Sequence, residues 1–158
     1  MLKNSFASVC LLGLIACGTQ EDDHDHNHAT PPGNTVNTIE IAGEYCSNFG
    51  DTQTISAESW RSVGESYDSS YQVMSYSNEE NHAITQNPED AEWDPLKFNL
   101  IVWTEPVDGA FYMCWAGTGF DLIEDINIDL IEFDSSDPEV GGCGGFPWTR
   151  LSVHCEAG

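Results

Sequence analysis

The chain has 158 residues, of which 40% are hydrophobic and 11% aromatic, so it can form one domain with a buried core. This composition excludes a disordered polyanion, although four lysines and arginines face 27 aspartates and glutamates, a formal net charge of −23. Such a charge repels the phosphates of nucleic acids and of anionic lipids, so nucleic acid is not an expected partner.

Residues 1–16 have the pattern of a secretory signal peptide. Lys3 supplies a positive charge, and an almost continuous apolar run follows from Phe6 to Ile15. This run is too short to span a bilayer as a mature helix. The sequence therefore predicts export.

Residues 14–17, Leu-Ile-Ala-Cys, resemble the lipobox of bacterial lipoproteins. The resemblance implies cleavage before Cys17 and acylation of this cysteine by chains such as palmitate; the alternative is an ordinary export signal with a chance cysteine. Gly18 is not the aspartate that retains many lipoproteins in the inner membrane, so the expected location is the outer membrane of a bacterial envelope, on either face. Cleavage removes Lys3 and leaves three basic residues opposite 27 acidic ones, a net charge of about −24.

Residues 17–38 are predicted to form a lipidated, acidic and histidine-rich linker. They contain no aromatic residue, and Pro31, Pro32 and Gly33 interrupt them. Their imidazoles and carboxylates could bind zinc or another divalent cation weakly, because the linker would have to curl around the ion and lose entropy. The alternative is a solvated spacer. The candidate metal ligands are His24, His26, His28, Asp22, Asp23 and Asp25.

Residues 39–158 are predicted to form a mainly β domain. Short apolar stretches alternate with turn residues, and the Asp108-Gly109 pair is a hairpin signal between two of the strongest stretches. We expect an antiparallel meander of seven or eight strands, or a small barrel, with one short helix as an option. The predicted strands are 39–45, 52–56, a short strand around Trp60 and Val63, 71–77, 82–86, 97–105, 110–115 and 149–156.

Residues 120–133 suit either a helix or a strand, because their apolar residues fit both periods. The acids that follow, including Asp134, Asp137 and Glu139, could form an irregular calcium site, but they lack the alternation and central glycine of an EF-hand. A solvated acidic face is the simpler interpretation.

The domain is not predicted to be an enzyme. It contains two histidines, His82 and His154, and neither occurs with a nucleophile and an acid at the spacing of a catalytic triad. The acids are so abundant that a pair of them is no specific sign of a glycosidase.

Aromatic residues are the candidates for a ligand site, since aromatic walls suit small-molecule pockets. The alternative is that the rings form a dense core. The wider set of candidates also includes Tyr71, Trp93, Phe111 and Trp148, and the predicted lining residues are Trp60, Trp103, Trp115, Tyr76 and Tyr112.

The domain resembles a family of uncharacterised bacterial lipoproteins with a lipocalin-like, or calycin-like, domain. The resemblance rests on "GEYCSNFGDTQTIS" with Trp60, "AITQNPEDAEWDPLKFNLIVWTE", "FYMC" and "GGCGGFPWTRL", and it covers residues 39–153. In lipocalin-like barrels a Gly-x-Trp on the first strand packs against an arginine on the last; Gly43, Tyr45 and Arg150 correspond here, with Tyr in place of Trp. No activity is carried over by the resemblance.

Four cysteines remain in the domain, and export into an oxidising compartment favours two disulfides, with three possible connectivities. The resemblance includes the cysteines of "FYMC" and "GGCGG", and it therefore implies that Cys114 pairs with Cys143 and Cys46 with Cys155.

The expected function is that of a non-catalytic, lipid-anchored binding module that holds a small apolar ligand in a barrel. Two alternatives stay open: a metal-handling lipoprotein that uses the His/Asp linker, and a structural or surface-interaction lipoprotein with a filled core. No cofactor is expected apart from a weakly bound cation.

Overall fold

A computed structural model describes residues 38–155, which form a closed barrel of eight antiparallel strands. Each strand pairs with the next, and the first pairs with the last through Cys46–Ser152 and Ser47–Leu151. The mainly β fold predicted from the sequence is therefore confirmed. The strands are β1 Gly43–Ser47, β2 Thr52–Ile55, β3 Ser59–Val63, β4 Asp68–Ser77, β5 His82–Gln86, β6 Phe98–Trp103, β7 Ala110–Phe120 and β8 Thr149–Ser152.

Strand β6 shows how the sequence builds two apolar layers. Successive side chains of a strand point to opposite faces, so Ile101 and Trp103 join the core inside the barrel, while Leu100 and Val102 join a second cluster outside it. Because both faces are covered, five of its six residues are buried, which explains the continuous apolar run at this place in the sequence.

The interior is packed with large side chains from nearly every strand. An eight-stranded barrel is just wide enough for its own side chains or one small ligand. Trp60 and Leu151 are fully buried there, and the Tyr45 and Phe111 rings meet edge to face with centroids 5.0 Å apart. The buried members of this inner core are Ile39, Ile41, Tyr45, Ile55, Trp60, Val73, Ala83, Ile101, Trp103, Phe111, Met113 and Leu151.

The connection from β7 to β8 covers the outer cluster. Residues 120–133 form neither of the two predicted elements; they contain two single-turn 3₁₀ helices, η1 Ile123–Asp125 and η2 Ile128–Leu130. Ile126, Ile128 and Ile131 pack against the outer cluster, while the acids of segment 120–133 are exposed. The apolar residues fit both the helical and the strand period because the segment is irregular and only some of its side chains pack against the barrel.

Both disulfides implied by the resemblance are present. Cys114 on β7 pairs with Cys143, with the Cα atoms 5.6 Å apart, and this bond ties the long connection to the outer cluster. Cys46 on β1 pairs with Cys155, with the Cα atoms 5.3 Å apart. The second bond joins the first strand to the chain that follows the last strand, next to the seam that closes the barrel.

One end of the barrel, here called the closed end, is sealed by residues 38–42. Ile39 and Ile41 are fully buried in the inner core, and Trp103 Nε1 donates to Glu40 Oε1 at 2.7 Å. Asn78 in the β4–β5 turn holds this segment through its side chain: it donates to Thr38 O and accepts from Glu40 N. The residues predicted as the start of the first strand therefore cap the barrel instead.

The turn between β6 and β7 also lies at the closed end. Asp108 and Gly109 both have positive φ, 52° and 75°, as a tight hairpin turn requires, and Val107 pairs with Ala110. The predicted hairpin is therefore confirmed. Within residues 38–155, no helix is long and apolar enough to cross a membrane.

Candidate functional site

The opposite end of the barrel, here called the mouth, carries a large cleft. It lies between residues 66–71, around the start of β4, and residues 87–94 of the long β5–β6 loop, and its volume is about 830 Å³. Volumes of about 300–1,000 Å³ are typical of small-molecule sites. Side chains of β6 and β7, Asn99, Trp115 and Thr118, complete the lining.

Four aromatic rings line this mouth cleft. Tyr71 and Trp115 belong to the edge of the inner core and meet edge to face, with ring centroids 4.9 Å apart. Tyr67 and Trp93 also line the cleft and are exposed, Trp93 at 78% of its surface. The cleft thus has two aromatic side chains continuous with the core and two that are exposed at its rim.

The β5–β6 loop is held in a defined conformation by polar side chains. Asn87 Nδ2 donates to Asp94 O at 2.8 Å, and Gln86 Nε2 donates to Leu96 O at 2.9 Å. Asp94 and Leu96 have positive φ, 50° and 61°, which is unfavourable for a leucine. Backbone strain of this kind persists only where the surroundings fix it, and it is concentrated at functional sites.

Asn99 connects the loop to the barrel wall. Its side chain is buried, donates through Nδ2 to Asn87 Oδ1 at 2.7 Å, and accepts from Gly119 N at 3.3 Å. Thr85 lies directly across from Asn99 on β5, so the two side chains share the inner face. Thr85 is fully buried, and its Oγ1 has no hydrogen-bond partner among residues 38–155.

A buried polar network lies beside the cleft where β1, β2 and β3 reach the mouth. Gln53 is its centre: its Oε1 accepts from Trp60 Nε1 at 2.8 Å, and its Nε2 donates to Ser62 Oγ at 2.7 Å and to Asp51. Ser47 also donates to Asp51. The network gives the indole N–H of Trp60 a hydrogen-bond acceptor inside an apolar core. Without an acceptor, this buried N–H group would destabilise the fold.

Tyr67 forms one wall of the cleft because Gly64 lets it approach. A Cβ atom at Gly64 would overlap the Tyr67 ring. The Tyr67 hydroxyl accepts from Ser62 Oγ at 3.4 Å, which links the wall to the buried network. The lining ring is thus positioned by backbone and by core contacts.

The electrostatics of the cleft are acidic. Its lining includes Asp68, Asp90, Glu92 and Asp94, and no lysine or arginine. Asp68 accepts two hydrogen bonds from the Arg61 guanidinium, at 2.8 and 2.6 Å, and these bonds hold the pKa of Asp68 below its usual value. Lys97 is close in sequence but contacts Asp121.

The structure distributes the predicted lining residues over three environments. Trp115 lines the mouth cleft; Trp60 and Trp103 are buried in the inner core, with Tyr76 packed against that core. Tyr112 lies on the outer face of β7, where its hydroxyl donates to Glu139 Oε1 at 2.5 Å and this hydrogen bond raises its pKa. The five predicted residues therefore do not form one site.

Tyr67 and the acids of the β5–β6 loop are not among the residues predicted from the sequence. The signal that could have found them is the length of the loop: residues 87–97 are a long connection for an antiparallel hairpin, and they combine aromatic and acidic residues in "EDAEWD". Long ordered loops in small barrels are common places for binding residues.

The predicted lipidation site Cys17 and the metal-ligand candidates of the linker lie outside the described residues. Within residues 38–155, no group of three or more His, Cys, Asp or Glu side chains is arranged to hold a metal ion. The acids suggested for a calcium site, Asp134, Asp137 and Glu139, belong to this range.

No protein-family model, curated protein or solved structure matches this chain. The resemblance to a lipoprotein family accordingly stays a prediction.

Proposed function

We propose that this protein is a non-catalytic binding module, anchored by lipid to the outer membrane of a bacterial envelope, which holds a small ligand in its mouth cleft. The observation that carries this proposal is the cleft of about 830 Å³, lined by four aromatic side chains and framed by a strained loop. Its size and its mixed aromatic and polar lining are those of small-molecule sites.

The packed interior limits where a ligand can sit. Trp60 and Trp103 fill the barrel beneath the mouth, so a ligand that entered the core would have to displace buried rings. Tyr71 and Trp115 therefore bound the cleft on the side of the core. An apolar part of the ligand would contact these two rings, and Trp93 would cover it from the rim.

A neutral apolar probe tests this proposal directly. N-phenyl-1-naphthylamine fluoresces more strongly in an apolar site, and we expect saturable enhancement with the wild-type protein. Trp93→Ala should weaken binding by roughly tenfold, the equivalent of about 1.4 kcal/mol. Phe146→Ala is the matched control, because Phe146 is similarly exposed, 73% against 78%, and does not line the cleft. Equal affinities of the two variants would contradict a site at the mouth.

The anchoring part of the proposal rests on Cys17. The acyl chains would supply the membrane affinity, since a chain with a net charge near −24 is repelled by anionic head groups. After export, the Cys17→Ser protein should be found in the soluble fraction, whereas the wild-type protein should be found in the membrane pellet. A Cys17→Ser protein that still pellets with membranes would contradict lipid anchoring.

Metal handling is the second candidate function, supported by the alternating His24, His26 and His28 among aspartates. Deletion of residues 21–28 should abolish any zinc binding that calorimetry detects in the full mature chain. Zinc binding that survives the deletion would exclude the linker as its site.

A structural role without a ligand is supported by the same filled core that limits the ligand position. The probe experiment separates this alternative from a binding function: saturable binding at the mouth contradicts a purely structural role, and no binding supports it.

A further inference from the structure

We infer that the ligand of the mouth cleft is a small organic cation, an ammonium group carried on an apolar body. This inference rests on the proposed binding function and adds the chemical class of the ligand.

The lining of the mouth cleft carries an excess of negative charge. Asp90, Glu92 and Asp94 line the cleft, and none of them has an ion-pair partner among residues 38–155. The basic residues nearest in the fold and the sequence, Arg61 and Lys97, are engaged by Asp68 and Asp121. The cleft therefore attracts cations and repels anions, and its concave shape strengthens this field.

The aromatic rings of the cleft can also attract a cation. Trp, Tyr and Phe rings carry a negative potential on their faces, and a cation within about 6 Å of the ring centroid is attracted to them. Two tyrosines and two tryptophans, Tyr67, Tyr71, Trp93 and Trp115, line one cleft. The three carboxylates that have no ion-pair partner among residues 38–155 line the same cleft. A neutral apolar ligand would use the rings and leave the carboxylates unpaired, whereas an organic cation uses both.

Three probes of similar shape and different charge test the inference on the full mature chain: 2-phenylethylammonium, 2-phenylethanol and 3-phenylpropanoate. By calorimetry at an ionic strength of about 20 mM, where screening is weak, the cation should bind at least about tenfold more tightly than the alcohol. The carboxylate should bind most weakly. Salt at about 0.5 M should reduce the preference for the cation.

A matched pair of triple variants separates the cleft from the overall charge of the protein. Asp90→Asn/Glu92→Gln/Asp94→Asn removes three charges from the cleft, and Glu124→Gln/Asp125→Asn/Asp129→Asn removes three exposed charges from η1 and η2. The cleft variant should lose the tenfold preference, and the control variant should keep it. Equal losses in the two variants would assign the preference to net charge and overturn the inference.

The outcomes also separate this inference from the proposed function. If the alcohol and the cation bind equally well, and Trp93→Ala weakens both while the triple cleft variant changes neither, the ligand is not a cation, but the mouth is still a binding site. If none of the three probes binds and the neutral fluorescent probe also fails, both the inference and the proposed function are wrong.

Discussion

At the closed end of the barrel, Ile39 and Ile41 are fully buried against the inner core, whereas at the mouth Trp93 leaves 78% of its surface exposed. The carboxylates beside Trp93 have no ion-pair partner within the described residues 38–155. The closed end is stabilised mainly by apolar burial and the mouth by side-chain hydrogen bonds to loop backbone. Apolar burial adds stability in proportion to area, while hydrogen bonds fix geometry with a small net gain. The closed end therefore contributes most to the stability of the fold, and the exposed rings and carboxylates of the mouth support the proposal that a ligand binds there.

The largest loss of stability is expected from the disulfide next to the barrel seam. Chain entropy assigns about 4.7 kcal/mol to a loop of the size closed by Cys46–Cys155 and about 3.6 kcal/mol to that closed by Cys114–Cys143. Cys46→Ser/Cys155→Ser should therefore lower the free energy of unfolding more than Cys114→Ser/Cys143→Ser, with the barrel retained. Urea unfolding measures both, and the reverse order would contradict this ranking.

Ile41→Ala tests the apolar seal of the closed end. Truncation of a fully buried isoleucine should cost about 2–5 kcal/mol, because it removes apolar contacts and leaves a cavity. Leu130→Ala is the control, since Leu130 is 77% exposed and should change stability by no more than about 0.5 kcal/mol. Thermal and urea unfolding compare the two, and equal effects would mean that residues 38–42 do not seal the barrel.

Asn99→Ala tests the polar support of the mouth. The variant leaves Gly119 N and Asn87 Oδ1 without their partner, and we expect a loss of about 1–3 kcal/mol with faster hydrogen exchange in residues 87–97. Thr85, which lies opposite Asn99 on β5, gives the matched control. Thr85→Val removes a hydroxyl that has no hydrogen-bond partner among residues 38–155, and the free energy of unfolding should stay unchanged or rise by up to about 1 kcal/mol. A Thr85→Val protein that is as destabilised as Asn99→Ala would contradict the difference in hydrogen bonding.

The smallest expected effect is a pH dependence at the closed end. Burial lowers the pKa of His82 below the ordinary histidine value, against a weaker opposing attraction from Glu80. In the unfolded chain the pKa of this histidine is about 6.5. At pH values between the lowered pKa of the folded chain and this value, the unfolded chain binds more protons than the folded chain. The contribution of neutral His82 to the free energy of unfolding is thus fully present above about pH 6.5. It is lost as the pH falls toward the lower pKa that His82 has in the folded chain.

His82→Gln should remove this part of the pH dependence, and His154→Gln, at an exposed position, should retain it. Urea midpoints at about pH 7.5 and 5 are the measurement. An unchanged slope in His82→Gln would show that other groups are responsible.

The sequence by itself determined the strands, because alternation with period two and turn residues act locally: the Asp108-Gly109 hairpin and the apolar run of β6 follow from neighbours in the chain. The resemblance added the two disulfide pairings. Only the tertiary structure decided which tryptophans are core and which line a cleft. Trp60 and Trp93 are equally apolar, but burial depends on strands and loops far apart in sequence.

The dependence on contacts between separate segments also explains why the mouth cleft was not predicted from the sequence. Residues 66–71 and 87–94 become neighbours when β4 pairs with β5, with Gln72 opposite Gln86, and no local pattern records that their rings and carboxylates face one cleft. The segment 120–133 is the converse case: its apolar residues were visible in the sequence, but their contacts lie on the outer face of β6 and β7, so tertiary packing, and not a local period, gave it an irregular backbone.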